Sequence, residues 1–202
     1  MIGGSSVAAI VLAAGLSSRM GRPKMVLPWA GKTVIETVIS TISGLQLAPI
    51  IVVTGGSRQE VEQRLAGFSV QCVFNPLFEN GEMLNSIQTG MKALAQDLEA
   101  VLVALGDQPQ MEKSTLAALL EQASLTSEPM ILPSYQMRRG HPWLIRRSLW
   151  PAILALHPPE TMRDFFCTYA SQIAYVRVET SSVLMDLDTP QDYENQRPDC
   201  AH

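Results

Sequence analysis

Cysteine is scarce in this chain of 202 residues, which contains three: Cys72, Cys167 and Cys200. An odd number of widely spaced cysteines does not predict a disulfide framework. None of them stands in CxxC or CxxH spacing, so a zinc site is not indicated either. The pattern favours reduced thiols in a cytoplasmic protein.

Charge and long apolar segments are also limited. Charged residues make up 17% of the sequence and the net charge is −4, which does not fit the dense basic surface typical of nucleic-acid-binding proteins. No apolar stretch reaches the ~18–20 residues that a membrane-spanning helix needs. No lysine or arginine precedes the apolar run at 7–12, as it would in a signal peptide. We therefore expect a cytoplasmic protein without membrane or nucleic-acid partners.

Two common nucleotide-binding signatures are missing near the N-terminus. Gly15 and Gly21 are too far apart for GxGxxG, and their loop lacks the GxxxxGK[ST] pattern of a P-loop. Instead, the apolar run at 7–12 leads into a loop of small residues that carries Arg19 and Lys24. Such a loop brings backbone N–H groups close to an anion, and the cations add positive charge. In an acidic chain this loop predicts a phosphate-bearing ligand, and a nucleotide is the leading interpretation.

Short apolar runs alternate with amphipathic segments through the first two-thirds of the chain. The predicted strands are 7–13, 49–54, 70–74, 100–105 and 130–133. The predicted helices are 33–43, 57–67, 82–95 and 114–123, the second of them opening on a capping box at Ser57. Regular strand–helix alternation predicts an α/β fold, a Rossmann-like and mostly parallel sheet flanked by helices.

The regular alternation of predicted strands and helices ends after residue 134. A polar turn at 138–141 is followed by predicted strands at 142–145, 173–178 and 183–187, with helices at 148–156, 161–169 and from Pro190. We expect a small mixed β region that covers the edge of the sheet. The whole chain, 1–202, is expected to form one domain, with a nucleotide-binding part at about 7–133 and an acceptor-binding part at about 134–197.

Ligands of open parallel sheets bind beyond the carboxyl ends of the strands. The loops at 14–28, 55–57, 75–81 and 106–109 all follow predicted strands. They are therefore expected to meet at one end of the sheet.

Two acidic motifs stand at such positions. Asp107 lies in Gly-Asp-Gln-Pro directly after the fourth predicted strand, where an aspartate forms a turn or binds a metal ion. The second motif, 186–193, begins a helix well, with Thr189 as N-cap and Asp192 at N3. Capping leaves Asp188 unexplained. Asp107 is thus a candidate ligand of Mg²⁺, Asp186 and Asp192 are interpreted as structural, and the role of Asp188 stays open at this point.

Taken together, these motifs resemble a known family. The pattern L-A-A-G-x-S-x-R-M-G-x-x-K at 12–24, G-D-Q-P at 106–109, G-H-P at 140–142 and D-L-D-T-P-Q-D at 186–192 are similar to those of the MobA-like nucleotidyltransferases, which attach a nucleotide to molybdopterin. The resemblance extends over nearly the whole chain. It implies the nucleotide-diphospho-sugar transferase-like version of the α/β fold, and an Mg²⁺-dependent enzyme.

The resemblance also implies a set of site residues. Arg19, Lys24 and Asp107 are the implied catalytic residues. The implied nucleotide contacts add Ala13, Ala14, Gly15, Gly81, Ser86 and Gly106. Asp107 and Asp188 are the implied Mg²⁺ ligands. The implied acceptor contacts are Gly140, His141, Pro142 and Arg163. From the residues alone, a lone histidine is more often packed or solvated than catalytic, and Arg163 is as readily a surface cation.

The implied reaction moves CMP from CTP to the terminal phosphate of molybdopterin and releases pyrophosphate. Family members with Ala-Ala-Gly at 13–15 tend to use CTP, and those with Ala-Gly-Gly tend to use GTP. A guanylyltransferase, a relative with another phosphorylated acceptor, and a non-catalytic accessory of a molybdoenzyme are the alternatives. An ordinary dehydrogenase is disfavoured because 54–56 lacks an acidic ribose-binding residue. A recipient molybdoenzyme is a further expected partner.

Overall fold

One sheet organises the computed structural model, which describes residues 6–80 and 83–198. Within these ranges its strands are β1 (Val7–Ala13), β4 (Ile50–Thr54), β5 (Gln71–Phe74), β6 (Ala100–Leu105), β7 (Met130–Tyr135), β8 (Arg138–Arg139), β9 (Trp143–Arg146) and β10 (Ile173–Arg177). The spatial order is β10-β7-β9-β6-β1-β4-β5, and β8 pairs with β7. The strands β2 (Pro28–Trp29) and β3 (Lys32–Thr33) form a separate hairpin.

The described ranges also contain seven α-helices that flank the sheet: α1 (Val34–Ser43), α2 (Arg58–Leu65), α3 (Met83–Lys92), α4 (Lys113–Leu125), α5 (Trp150–Leu154), α6 (Met162–Thr168) and α7 (Pro190–Gln196). Complete capping boxes at Thr33, Thr161 and Thr189 begin α1, α6 and α7. None of the helices in the described ranges has the length and apolar character needed to cross a membrane.

The centre of the sheet is buried on both faces because strands such as β1 and β6 are apolar at every position. In β1 all seven side chains are buried. Val7, Ala9, Val11 and Ala13 belong to one core cluster, and Ala8, Ile10 and Leu12 belong to the cluster on the opposite face. This alternation is the period of two that a strand imposes on its side chains. The predicted doubly covered, mostly parallel sheet is confirmed.

Strand β9 departs from the parallel arrangement. It lies between β6 and β7 and runs antiparallel to both, while β10 pairs in parallel with β7 at the edge. The sequence had indicated that the C-terminal third covers the edge of the sheet. In the structure this third instead adds strands to the sheet itself. The predicted turn at 138–141 contains the short strand β8, which pairs with the end of β7.

Two local predictions are wrong. Ser57 precedes α2, but its side chain makes no capping hydrogen bond. The predicted strand at 183–187 is absent from the described chain: Ser181–Leu184 is a 3-10 turn, begun by the Thr180 side chain accepting from the Ser182 N–H. The carbonyl of Val183 accepts instead from the N–H of His141, at 2.9 Å. Local capping and isolated backbone bonds to distant residues replace a strand ladder there.

Candidate active site

Four charged side chains from three distant segments meet at the carboxyl end of the sheet. The Lys24 Nζ atom lies 2.5 Å from Asp107 Oδ2 and 3.0 Å from Asp188 Oδ1. The Arg19 guanidinium lies 3.0 Å from the other oxygen of Asp188. The sequence-predicted phosphate cations and metal carboxylates are thus brought together, and Lys24 bridges the two carboxylates.

The loop that carries Lys24 is fixed by its own backbone and side chains. The Ser17 Oγ atom accepts a hydrogen bond from the Lys24 N–H at 3.2 Å, and Lys24 begins a 3-10 turn. Gly21 has a φ of +69°, a conformation that favours glycine. Lys24 is therefore held in place by the turn that precedes it, with only 8% of its surface exposed.

The carboxylates are placed by close contacts between β1, β6 and the C-terminal segment. A Cβ at Gly106 would stand 2.9 Å from the carbonyl oxygen of Leu12, so only glycine lets β6 turn here without displacing β1. The carbonyl of Asp107 accepts from the Leu187 N–H at 3.2 Å, which joins the two acidic motifs directly. Thr189 and Asp192 then begin α7 with a capping box, as predicted.

A small apolar cluster anchors the segment that carries Asp188. The Tyr193 hydroxyl donates to the carbonyl of Pro28 at 2.6 Å, and its ring lies 6.3 Å from that of Trp29. Leu187 is completely buried in the same cluster, beside Met20. The C-terminal helix therefore packs on the loop and hairpin that follow β1, which explains how residues 164 positions apart reach one another.

Burial and charge act in opposite directions on the ionisable groups. Burial lowers the pKa of Lys24, but the charges and hydrogen bonds of Asp107 and Asp188 outweigh it and leave that pKa raised. Burial also raises the pKa of Asp186, and the neighbouring carboxylates of Asp188 and Asp107 raise it further. The site therefore has an excess of negative charge that Lys24 only partly neutralises.

These groups line a cavity of about 370 Å³, called here the first cavity. Ala14, Gly15, Lys24, Ser86, Asp107 and Asp188 of the predicted set line it, together with Leu12, Met25, Phe78, Met83, Leu105 and Asp186. Ala13 is buried in the core, and Gly106 supports the turn beneath Asp107. Gly81 lies outside the described residues.

Two further residues belong to this cavity or support it. Asp186, interpreted from sequence as structural, lines the cavity. Asn75, which is 1% exposed, donates from Nδ2 to Ser86 Oγ at 3.1 Å and accepts from the Leu77 N–H at 3.0 Å. Because Asn75 supplies the donor, the Ser86 hydroxyl is free to donate its own proton into the cavity. The position of Asn75 directly after a predicted strand was the signal available in the sequence.

A second cavity of about 440 Å³ is lined mainly by the C-terminal third. Its lining includes Arg139, His141, Trp143, Thr161, Arg163 and Phe166. Of the predicted acceptor residues, His141 and Arg163 thus face this space, whereas Gly140 and Pro142 flank His141 in the chain. A Cβ at Gly140 would overlap the carbonyl and side chain of Val183, so glycine is required for that approach.

The imidazole of His141 is packed against an aromatic ring, and one of its nitrogens has no hydrogen-bond partner within the protein. Its ring stacks on Trp143, with centroids 4.1 Å apart and an interplanar angle of 27°. Its Nε2 atom is buried and makes no hydrogen bond within the protein. Burial lowers the pKa of His141 to about 4, so the ring is neutral at neutral pH. A buried nitrogen of this kind is ordinarily satisfied by a partner, and a ligand in the second cavity would supply one.

The carboxylates of this site are suited to a metal ion that also binds phosphate oxygens. No group of three or more histidine, cysteine or acidic residues in the described part of the chain is arranged as a metal site. Asp107 and Asp188 nevertheless converge on the same Lys24 ammonium and line the same cavity. Mg²⁺ commonly takes one or two carboxylates and completes its shell with water and substrate phosphates. The two aspartates meet that requirement.

The fold and site define an α/β nucleotide-binding protein with cations and carboxylates at the carboxyl ends of its central strands. Comparison with known proteins gives its family. Residues 9–173 match the MobA-like NTP transferase domain, and the chain belongs to this nucleotidyltransferase family.

Three relatives show the range of this similarity. The chain is 31% identical to the molybdenum cofactor cytidylyltransferase of Escherichia coli over 94% of both chains. It is also 31% identical to the nicotine blue oxidoreductase of Paenarthrobacter nicotinovorans, over 73% of this chain and 74% of that one. A solved nucleotidyl transferase from Methanothermobacter superimposes with a TM-score of 0.81 at 25% identity, covering 95% of this chain and 96% of that chain.

Proposed function

We propose that this protein transfers CMP from CTP to the terminal phosphate of molybdopterin and releases pyrophosphate. The observation that carries the proposal is the cluster of Lys24, Asp107 and Asp188 in a cavity that adjoins a second one. The family supports nucleotidyl transfer, and the full-length similarity to the cytidylyltransferase supports this base and acceptor.

In the proposed reaction the acceptor phosphate attacks the α-phosphorus in line with the departing pyrophosphate. A phosphate monoester is largely dianionic near neutral pH, since its second pKa is about 6, and no general base is needed. Positioning and neutralisation of charge then supply most of the acceleration. Arg19 and Lys24 would stabilise the α-phosphate and the departing pyrophosphate. On binding nucleotide, Lys24 exchanges part of its contact with the carboxylates for phosphate oxygens.

Asp107 and Asp188 are the residues proposed to hold Mg²⁺. When bound, this ion neutralises phosphate charge and orients the triphosphate. Asp186 adds negative charge at the cavity wall and favours a cation beside it. A site with three carboxylates and two cations is consistent with recognition of a nucleotide and a divalent ion together.

Base and ribose recognition are proposed at Ala14, Gly15 and Ser86. The Ser86 hydroxyl, polarised by Asn75, donates to an acceptor atom of the nucleotide. Acceptor recognition is proposed at the second cavity. There Arg163 offers charge to a phosphate, and neutral His141 offers Nε2 to a hydrogen-bonding atom of the acceptor. Gly140 allows the chain next to His141 to approach Val183 closely, and contacts of Gly140 and Pro142 with the acceptor are part of the proposal.

The test is a titration of CTP, GTP and ATP with Mg²⁺ by calorimetry, followed by a pyrophosphate-release assay with molybdopterin. We expect CTP to bind at least tenfold more tightly than GTP and to give product with molybdopterin. Tighter binding of GTP, with guanylyl transfer, would replace the proposed base. A protein that binds nucleotide but forms no product is the non-catalytic accessory. Binding of NADPH in preference to every triphosphate would instead support the chemistry named for the oxidoreductase relative.

A further inference from the structure

One side chain lies between the two cavities. Among the described residues, Met83 is the one that lines both the first cavity of about 370 Å³ and the second cavity of about 440 Å³. It begins α3, and 37% of its surface is exposed although the side chain is large and apolar. Its neighbour Leu84 is 2% exposed and packs in the core, so the helix is anchored directly beside it.

Met83 differs in polarity from the charged residues that line the first cavity beside it. The first cavity is lined by Lys24 and three carboxylates, all of which attract water. The thioether of Met83 is at most a weak hydrogen-bond acceptor and has no donor. An apolar side chain at this position therefore displaces water from the boundary that the two cavities share, called here the junction. Exclusion of water from such a junction prevents hydrolysis of a reactive group.

We infer that Met83 is a positioning residue that closes this junction against water while the acceptor phosphate reaches the nucleotide. The inference rests on the proposed function, because it needs a nucleotide in the first cavity and an acceptor in the second. In the productive step an acceptor phosphate oxygen bonds to the α-phosphorus, and the bond to the β-phosphate oxygen breaks, with pyrophosphate taking the electron pair.

The competing step uses water in place of the acceptor. A water oxygen bonds to the α-phosphorus, its proton passes to solvent, and the same bond to pyrophosphate breaks. The products are CMP and pyrophosphate in place of the dinucleotide. Met83 would thus set the ratio of hydrolysis to transfer, while the triphosphate contacts made by Lys24 and Arg19 stay unchanged.

The experiment follows α-labelled CTP with and without molybdopterin and separates free CMP from the dinucleotide product. For Met83→Ala we expect the ratio of CMP to dinucleotide to rise about tenfold, which corresponds to about 1.4 kcal/mol. The dissociation constant of CTP, measured by calorimetry, should stay within about twofold. Met83→Leu, which restores apolar volume, should return the ratio close to that of the unaltered protein.

Met137→Ala is the matched control, because Met137 is 95% exposed and lines neither cavity. Thermal melting shows whether each variant is folded. An unchanged ratio in folded Met83→Ala, or equal losses of hydrolysis and transfer, would overturn the inference and leave the proposed function standing. Absence of transfer by the unaltered protein with every triphosphate tested would overturn both.

Discussion

The ammonium of Lys24 lies between the carboxylates of Asp107 and Asp188, 2.5 Å from the first and 3.0 Å from the second. A buried cation thus occupies the place where two predicted metal ligands converge. Its net effect is to hold together segments that would otherwise repel each other. The same ammonium is the group proposed to contact phosphate, so we expect it to give up part of its contact with the carboxylates when nucleotide and divalent ion bind.

Replacing Lys24 with methionine tests this dual role. Lys24→Met removes the cation that competes for the carboxylates, so Mn²⁺ should bind about tenfold more tightly in the absence of nucleotide. CTP affinity should fall by at least about tenfold, since a charged hydrogen bond contributes about 1.5–3 kcal/mol. Calorimetry with Mn²⁺ alone and then with CTP measures both constants.

Lys24→Arg retains the positive charge and controls for folding. It should keep Mn²⁺ binding in the absence of nucleotide close to that of the unaltered protein. If Lys24→Met were folded and bound Mn²⁺ and CTP with unchanged affinities, Lys24 would have no part in the site.

Asp107→Ala should reduce kcat by at least about a hundredfold while the protein remains folded. Preorganised charge at a transferring phosphate is typically worth this much or more. Lys24 keeps Asp188 as a partner, so its charge is not left unpaired. Steady-state kinetics with Mg²⁺ gives the loss, and Asp97→Ala, at an exposed position remote from both cavities, serves as the control. Full activity of Asp107→Ala with Mg²⁺ would remove this residue from the catalytic set.

Thr189→Ala should lower the free energy of unfolding by about 1 kcal/mol, because it removes the hydroxyl that caps α7. The melting temperature should fall by about 2–4 °C for a protein of this size. Thr33→Ala removes a matched capping box from α1 and should give a similar shift. Only Thr189→Ala should also lower kcat, since Asp188 immediately precedes the cap. Equal kinetics in the two variants would show that α7 does not position Asp188.

Stability should depend on pH through His141. Burial lowers the pKa of its imidazole from 6.5 to about 4, so below pH 6.5 the unfolded chain binds a proton that the folded chain excludes. The free energy of unfolding should therefore fall as pH decreases from 6.5 towards 4, by up to about 1.4 kcal/mol per pH unit. Above pH 6.5 the imidazole is neutral in both the folded and the unfolded chain, so His141 causes no further change in the free energy of unfolding.

Urea unfolding at pH 7.5, 6 and 5 measures this slope. His141→Phe keeps an aromatic ring against Trp143 and should make the slope shallower. His157→Gln, at an exposed position, is the control and should leave it unchanged. Identical slopes for the unaltered protein and His141→Phe would show that the imidazole is not excluded from protonation in the folded state.

Much of the fold and part of the site are readable from the sequence, for physical reasons. Strands such as β1 and β6 are continuous apolar runs, and their predicted bounds agree with the structure residue for residue. Glycine and acidic residues that follow such strands necessarily lie at the carboxyl edge. The convergence of Lys24 with Asp107 therefore follows from topology once the parallel sheet is recognised.

What the sequence did not reveal depends on long-range contacts. The segment 183–187 has strand-like residues, but its backbone bonds to distant residues are two isolated ones, from His141 N–H to the Val183 carbonyl and from Leu187 N–H to the Asp107 carbonyl. The direction of β9 is equally invisible, because its apolar pattern is the same whether it runs parallel or antiparallel. Asp186 lines the first cavity through packing that has no local sequence signature, whereas Asn75, which supports Ser86 there, was signalled by its position directly after a predicted strand. The roles assigned to Arg163, Gly140 and Pro142 stay predictions.

The antiparallel direction of β9 determines where His141 lies relative to Asp107. Val103 of β6 stands opposite Trp143 of β9, so His141 is carried to the same end of the sheet as Asp107. A parallel strand in that position would deliver residue 141 to the opposite end, about 20 Å away for a six-residue strand. The position of His141 relative to Asp107 is therefore set by a backbone ladder and not by a linker. If the second cavity binds the acceptor as proposed, we expect a change in the kind of acceptor to come from the side chains that line this cavity, because the β6–β9 register fixes the backbone that carries His141.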